Sequence, residues 1–122
     1  MPELLLRAGG SMAEERRRAA RHPFIASAEV EDVAVGSRLP SRISDLSAGG
    51  CYVDTVNPFP DGTDVRVRIF TDTRRFEARA TVAYSHLHLG MGLNFREVAP
   101  EHQAILQSWL PADATSEMKA GA

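Results

Sequence analysis

Two short segments of the chain contain the residues whose types and spacing point most clearly to binding chemistry. Four arginines lie between Arg16 and Arg21, just ahead of the first run of β-type residues. A carboxylate, a hydroxyl and two glycines follow in the segment 45–50, whose sequence is Asp-Leu-Ser-Ala-Gly-Gly. Arginine side chains form hydrogen bonds to phosphate oxygens and to guanine edges. An aspartate and a serine can accept from and donate to the part of a base edge that the arginines do not contact. Together the segments predict a pocket for a small, anionic, guanine-containing ligand.

Each segment also has a plainer interpretation. A run of charge is often a solvated surface segment, although an arm beside a strand start can order over a bound ligand. Residues 45–50 form a good turn sequence in any protein, because Asp45 and Ser47 can bond the local backbone. Gly50 is predicted to be conformational, reaching positive φ and letting a ligand approach the backbone, and Gly49 could do the same.

The two segments resemble the two-part motif of PilZ domains, the bacterial receptors for cyclic di-GMP. The matching patterns are Arg17-x-x-x-Arg21 and Asp45-x-Ser47-x-x-Gly50. The resemblance runs from Arg16 to Leu110 and includes the segments 21–24 and 90–95 and a terminal helix. Either motif alone is short enough to recur by chance, so the order, the spacing and the strand pattern carry the resemblance.

The resemblance implies roles for individual residues. Arg17 and Arg21 would clasp the phosphates and guanine of cyclic di-GMP, and Asp45 and Ser47 would contact a guanine edge. Arg16, directly before the motif, is associated in this family with binding a stacked ligand dimer. The register could be off by one, because residues 16–18 are all arginine. No other cofactor is implied, and the output would pass to an unidentified effector protein in trans.

Alternating apolar and polar residues predict six short strands that would carry these segments. On the fifth strand, alternation places Tyr84 on the same face as the apolar residues from Phe76 to Val82. On the sixth strand, Met91, Leu93 and Phe95 are predicted to point inward. Such a pattern favours a small barrel or sandwich, and the resemblance selects a mainly β fold, a six-stranded antiparallel PilZ-type barrel with a C-terminal helix. The predicted strands are residues 24–35, 39–46, 51–56, 65–70, 76–84 and 90–95.

The predicted helix begins at Pro100 and is stopped by Pro111. Its apolar stripe is expected to pack against the barrel with Trp109 as the main anchor. The predicted domain organisation is a disordered or short-helical extension over 1–15, the PilZ-type domain over 16–110 and a disordered tail over 111–122.

Length and composition limit the classes of function. A chain of 122 residues with a net charge of −2 is expected to form one domain, with no overall attraction to DNA, RNA or anionic membranes. The single cysteine, Cys51, excludes an internal disulfide and is predicted to be buried. No apolar run approaches the roughly 20 residues that span a bilayer, so we expect a cytoplasmic protein without membrane insertion.

Catalysis and metal binding are not predicted. The sequence has no nucleophile elbow and no phosphate-binding glycine loop, and His86 and His88 are expected to be a surface pair rather than metal ligands. Two alternatives to a nucleotide receptor remain. One is a PilZ-fold protein-interaction module that binds no nucleotide. The other is a barrel that binds single-stranded nucleic acid by stacking bases on Tyr52 and Phe70.

Overall fold

The fold is a six-stranded antiparallel β-barrel with one C-terminal helix, as predicted. It was obtained as a computed structural model that describes residues 21–111. The expectations for residues 1–15 and 112–122 therefore lie outside the described residues. The elements are β1 (His22–Asp32), β2 (Arg38–Ser47), β3 (Gly50–Asp54), β4 (Asp64–Phe70), β5 (Arg75–His86), β6 (Gly90–Glu97) and α1 (Pro100–Trp109).

The strands close in the order β1-β2-β3-β6-β5-β4, and β4 pairs with β1 to complete the barrel. Each strand therefore has a hydrogen-bonded neighbour on both sides, which removes the unpaired edges that promote aggregation. Pro40 lies where β2 pairs with β1 alone, because pairing with β3 begins at Arg42. Because Pro40 has no partner on β3, its missing N–H removes no hydrogen bond between β2 and β3.

Alternation along the strands fills the barrel interior. On β4, Val65, Val67 and Ile69 are fully buried between the outward-facing Arg66 and Arg68. The core also contains Cys51, as predicted, and burial raises the pKa of its thiol to about 12, helped by the nearby charge of Asp45. The thiol is therefore protonated at neutral pH and packs as a small apolar group.

Helix α1 adds to this core through Leu106, which is fully buried. Trp109, the predicted main anchor, is only partly buried and stacks on Phe24 of β1 with ring centroids 5.1 Å apart. The helix is tied to the barrel a second time, because His102 Nδ1 accepts a hydrogen bond from the Glu77 backbone N–H at 3.1 Å. Leu106 is thus the most buried contact between the helix and the barrel, and Trp109 adds a partly buried stacking contact with β1.

Two predicted strands extend too far. The first strand ends at Asp32 rather than at Val35, because residues 33–35 form a turn, and Gly36 follows it with a φ of +78°. The third strand ends at Asp54 rather than at Val56. Val35 and Val56 are 72% and 64% exposed, so these β-branched residues lie outside the sheet despite their strand propensity.

Two of the register shifts in the barrel, one on β5 and one on β2, determine which residues of these strands face outward. On β5, Val82 pairs with Leu93 but Tyr84 pairs with the adjacent Gly92, so one extra residue, Ala83, is inserted. On β2, Ser44 is inserted in the same way between Ile43 and Asp45. A bulge shifts the alternation by one residue. The prediction that Tyr84 shares a face with the apolar residues from Phe76 to Val82 is therefore wrong, and Tyr84 lies on the outer face instead.

An ion-pair cluster on the outer face joins β1, β4 and β5. The Arg68 guanidinium lies 2.9 Å from Glu29, 3.2 Å from Glu31 and 3.7 Å from Glu77, and its side chain is only 16% exposed. Arg68→Ala leaves three carboxylates close together without this cation, so we expect it to lower the free energy of unfolding by about 1–3 kcal/mol. Urea denaturation measures the change.

The matched control for Arg68 is Arg42→Ala. Arg42 lies 3.5 Å from Asp54, but its side chain is 63% exposed. Exposed pairs contribute about 0–1 kcal/mol. Equal losses from the two substitutions would contradict a stabilising role for the cluster.

Candidate ligand-binding site

Four neighbouring strands place one residue each in a row across the outer face of the barrel. The row runs from Asp45 on β2 through Tyr52 on β3 and Gly92 on β6 to Tyr84 on β5. Arg21, which precedes β1, reaches over this row and contacts both Tyr84 and Asp45. The structure thus brings together one residue from each half of the predicted motif.

Arg21 makes three contacts with Tyr84 and Asp45 within the described part of the chain. Its Nη2 donates a hydrogen bond to the Tyr84 hydroxyl at 2.5 Å, its guanidinium carbon lies 5.8 Å from the centre of the Tyr84 ring, and its Nη1 lies 3.9 Å from Asp45 Oδ2. Partial burial lowers the pKa of Arg21, but the Tyr84 hydrogen bond and the nearby Asp45 charge outweigh it, so the net pKa is raised. The side chain is charged, 43% exposed, and has donors left for an anion.

Asp45 offers an acceptor next to this cation. Its side chain is 27% exposed, yet its Oδ1 is buried and has no hydrogen-bond partner among residues 21–111. Burial raises the pKa of Asp45, and the positive charge of Arg21 only partly offsets it. A partly exposed carboxylate beside a guanidinium suits a ligand that presents both a donor edge and a negative charge.

Ser47 lies in the adjacent hairpin and is only 5% exposed. Its hydroxyl donates to the Gly50 carbonyl at 3.2 Å and accepts from the Gly49 N–H at 3.2 Å. Both bonds stabilise the turn between β2 and β3, which is the local role that the sequence left open. A direct contact between Ser47 and a ligand stays a prediction.

Gly50 is required for a different reason from the one predicted. The glycines with positive φ in the described residues are Gly36 and Gly62, so the expectation of a positive φ at Gly50 is wrong. A Cβ at Gly50 would instead collide with the backbone carbonyl oxygen of Leu93 and lie 3.0 Å from the Leu93 carbonyl carbon. Gly50 therefore permits the close approach of β3 and β6.

Three aromatic rings lie on the same face, and the sequence predicted none of them as contacts for cyclic di-GMP; Tyr52 was considered only as a stacking residue for single-stranded nucleic acid. Tyr84 lies 5.2 Å from His86 and 6.2 Å from Tyr52 between ring centroids, and the Tyr52 hydroxyl is 3.4 Å from His86 Nδ1. Two glycines of β6 make room for the tyrosines, because a Cβ at Gly90 or Gly92 would overlap the Tyr52 or Tyr84 side chain.

The pattern Gly-Met-Gly at residues 90–92 was the available signal for this aromatic cluster. Two glycines separated by one residue leave one face of a strand without side chains, and aromatic rings from the neighbouring strands can occupy that space. The cluster offers apolar ring surface next to Arg21, which suits a planar base.

The remaining candidates from the sequence are two arginines of the arm and a histidine pair. Arg16 and Arg17 lie outside the described residues. Within residues 21–111, no group of three His, Cys, Asp or Glu side chains could hold a metal ion. His88 lies in the β5–β6 hairpin with a φ of 72°, whereas His86 belongs to the aromatic cluster.

Tyr52 and Phe70 do not form one stacking platform. They lie on β3 and β4, which are separated by two strands in either direction around the barrel. This separation weighs against the single-stranded nucleic acid alternative, which requires successive bases to stack along one surface.

These features define a small closed β-barrel domain with a terminal helix and a charged, aromatic outer face. The family model of the PilZ domain matches residues 15–111, and the chain belongs to this family. No curated protein matches the sequence significantly. Within residues 21–111, no helix has the length and apolar character needed to cross a membrane.

Solved structures share the fold at low sequence identity. The PilZ domain of Escherichia coli YcgR with c-di-GMP superposes with a TM-score of 0.62 at 18% identity, covering 87% of this chain and 94% of that one. The Bacillus subtilis inhibitor of motility MotI/DgrA gives a TM-score of 0.61 at 24% identity, covering 76% of this chain and 48% of its own. The match thus spans about half the length of MotI/DgrA.

Proposed function

We propose that this protein is a cyclic di-GMP receptor that passes its signal to a partner protein in trans. The observation that carries the proposal is the meeting of Arg21 and Asp45, one from each half of the PilZ motif, beside three aromatic rings. Membership of the PilZ family and the c-di-GMP complex of the E. coli YcgR domain support it.

Each group has a defined task in this proposal. The ligand phosphates accept hydrogen bonds from Arg21 and Arg17, and the Asp45 carboxylate accepts from the N–H groups of a guanine edge. Ser47 and Gly50 maintain the conformation of the β2–β3 hairpin and so keep Asp45 beside Arg21. Ser47 is also a candidate contact to the guanine. Arg16 contributes when two stacked ligands bind.

The proposed response is a change in the arm that precedes β1. Binding draws Arg17 towards Arg21, the arm over residues 16–20 orders across the ligand, and the altered surface contacts an effector protein. Residues 16–110 form the binding unit in this scheme. No reaction is catalysed and no further cofactor takes part, in keeping with a family of receptors rather than enzymes.

Calorimetric titration of cyclic di-GMP into the full chain tests the proposal. Cyclic di-AMP is the matched control, because it keeps the phosphate ring but presents a different base edge to Asp45, and GTP tests whether the cyclic phosphates are needed. Selective binding at micromolar concentration or tighter is expected, and a ratio of two ligands per chain would implicate Arg16. If a folded chain gives neither heat nor thermal stabilisation, a nucleotide-independent interaction module explains the fold better.

Asp45→Asn is expected to weaken cyclic di-GMP binding by about tenfold while slightly stabilising the free protein at pH 7. The pKa of Asp45 is raised in the fold, so folding disfavours the ionised carboxylate. This penalty is present at neutral pH and disappears as the pH falls below the ordinary value of 3.8. The stabilisation should therefore shrink near pH 4.

Thermal melting at pH 7 and near pH 4, together with calorimetry, measures both effects. Asp72→Asn in the exposed β4–β5 turn is the control. A variant at Asp45 that melts lower at pH 7 and binds as tightly as the parent would refute the assignment of Asp45 as a ligand acceptor.

A further inference from the structure

Tyr84 owes its position to two features of the backbone rather than to its own side chain. The bulge at Ala83 turns it to the outer face, opposite Gly92. The absence of a side chain at Gly92 then lets the phenol ring lie across β6, because a Cβ there would come within 2.7 Å of the Tyr84 hydroxyl oxygen and closer still to the ring. The bulge and the glycine together direct the hydroxyl towards Arg21.

Among residues 21–111, the hydroxyl of Tyr84 makes the shortest contact with the Arg21 guanidinium. It accepts from Nη2 at 2.5 Å, while the Asp45 carboxylate lies 3.9 Å from Nη1. The Tyr52 hydroxyl, in contrast, points to His86 Nδ1 at 3.4 Å. The two tyrosines are thus similar in exposure and setting but differ in whether they contact Arg21.

We infer that Tyr84 is a positioning residue for Arg21. Its hydroxyl holds the guanidinium over the barrel before ligand arrives, and so strengthens nucleotide binding. The effect on binding rests on the proposed function, because the ligand in question is cyclic di-GMP. The hydrogen bond uses one N–H of a group with five, and the side chain stays 43% exposed, so a phosphate can bind Arg21 without displacing Tyr84.

The expected gain comes from order already present in the free protein. A free arginine side chain loses rotamer freedom when it binds a phosphate, and a side chain that is already held loses less. By the usual cost of immobilising one long side chain, removal of the Tyr84 hydroxyl should weaken binding by about two- to tenfold.

Tyr84→Phe is the first variant, because it removes the hydroxyl and keeps the ring on Gly92. Ser108→Ala is the control for affinity, since it removes an exposed hydroxyl on α1 that bonds only the local Ile105 carbonyl. Calorimetry with cyclic di-GMP and thermal melting are measured on the full chain for both. We expect Tyr84→Phe to lose two- to tenfold in affinity with little change in melting temperature, and Ser108→Ala to lose less than twofold. Tyr52→Phe, which removes a hydroxyl that does not contact Arg21, is the control for the ligand-free measurement below.

Gly92→Ala tests the same inference without altering Tyr84. The added methyl group overlaps the end of a flexible side chain, so the tyrosine can move aside and the barrel can stay folded. Displacing the hydroxyl from Arg21 should reproduce the affinity loss of Tyr84→Phe. Combining the two substitutions should add little, because both remove the same contact.

A ligand-free measurement separates this inference from the proposed function. The mobility of the Arg21 guanidinium is followed by ¹⁵N NMR of its Nε–H group, assigned by its loss in Arg21→Lys. Increased mobility in Tyr84→Phe but not in Tyr52→Phe supports positioning even if the parent binds no cyclic di-GMP, an outcome that would defeat the proposed function alone. Unchanged Arg21 mobility in Tyr84→Phe would overturn the inference. So would an affinity of Tyr84→Phe for cyclic di-GMP equal to that of the parent, if the parent binds.

Discussion

Replacing Arg21 by alanine is expected to weaken cyclic di-GMP binding by at least tenfold and to leave the barrel folded. The substitution removes charge-assisted hydrogen bonds to the ligand, each worth about 1.5–3 kcal/mol. It also leaves the carboxylate of Asp45 without the guanidinium that now lies 3.9 Å away, so the site becomes less attractive to a phosphate. Arg21 precedes β1 and lies on the surface rather than in the core, so its loss should not disturb the core.

Calorimetry on Arg21→Ala measures the loss, with Arg75→Ala as the matched control. Arg75 is an exposed arginine at the start of β5, whereas Tyr84 lies near the end of that strand. Both variants change the net charge equally, so a general electrostatic effect would appear in both. Equal affinities for Arg21→Ala and the parent would remove Arg21 from the binding mechanism.

Gly50→Ala is expected to lower the free energy of unfolding by about 3 kcal/mol or more, because backbone would have to move. The new Cβ would collide with the carbonyl oxygen of Leu93 on β6, and a strand backbone inside a closed barrel cannot move aside as a flexible side chain can. The β2–β3 hairpin would shift with it, so ligand binding should fall as well.

Urea denaturation of Gly50→Ala measures the destabilisation, and Gly36→Ala is the control. Gly36 has a φ of +78° and nothing lies within 4 Å of an added Cβ. Alanine there should therefore lower the free energy of unfolding by only about 1–2 kcal/mol, the cost of placing an L-residue in the left-handed conformation. A smaller loss at Gly50 than at Gly36 would show that β3 and β6 can separate without penalty, contrary to the packing described above.

The family and the fold could be predicted from the sequence because their signals are local. Strand alternation reports which residues face the core, and it succeeded on β4, where no bulge interrupts the period. The spacing from Arg17 to Arg21 and from Asp45 to Gly50 identified the family that the match over residues 15–111 shows. Burial of Cys51 followed from the same alternation.

Part of the candidate site could not be predicted, because it depends on pairing between strands. Alternation assigned Tyr84 to the core, but the bulge at Ala83 placed it outside. Whether a strand accepts an extra residue is decided by the register of its partner, which the strand's own sequence does not specify. The place of Tyr84 beside Tyr52 and His86 in the aromatic cluster escaped prediction for this reason.

The sequence by itself determined six strands, most of the core and the types of charged residue available for a nucleotide, and its resemblance to PilZ domains selected the antiparallel barrel. The tertiary structure decided that Arg21 and Asp45 meet, that Tyr84 holds the guanidinium, and that Gly50 allows strands β3 and β6 to approach. The physical reason is that these contacts join residues far apart in the chain. Their geometry exists only once bulges, glycines and strand register have brought the strands together.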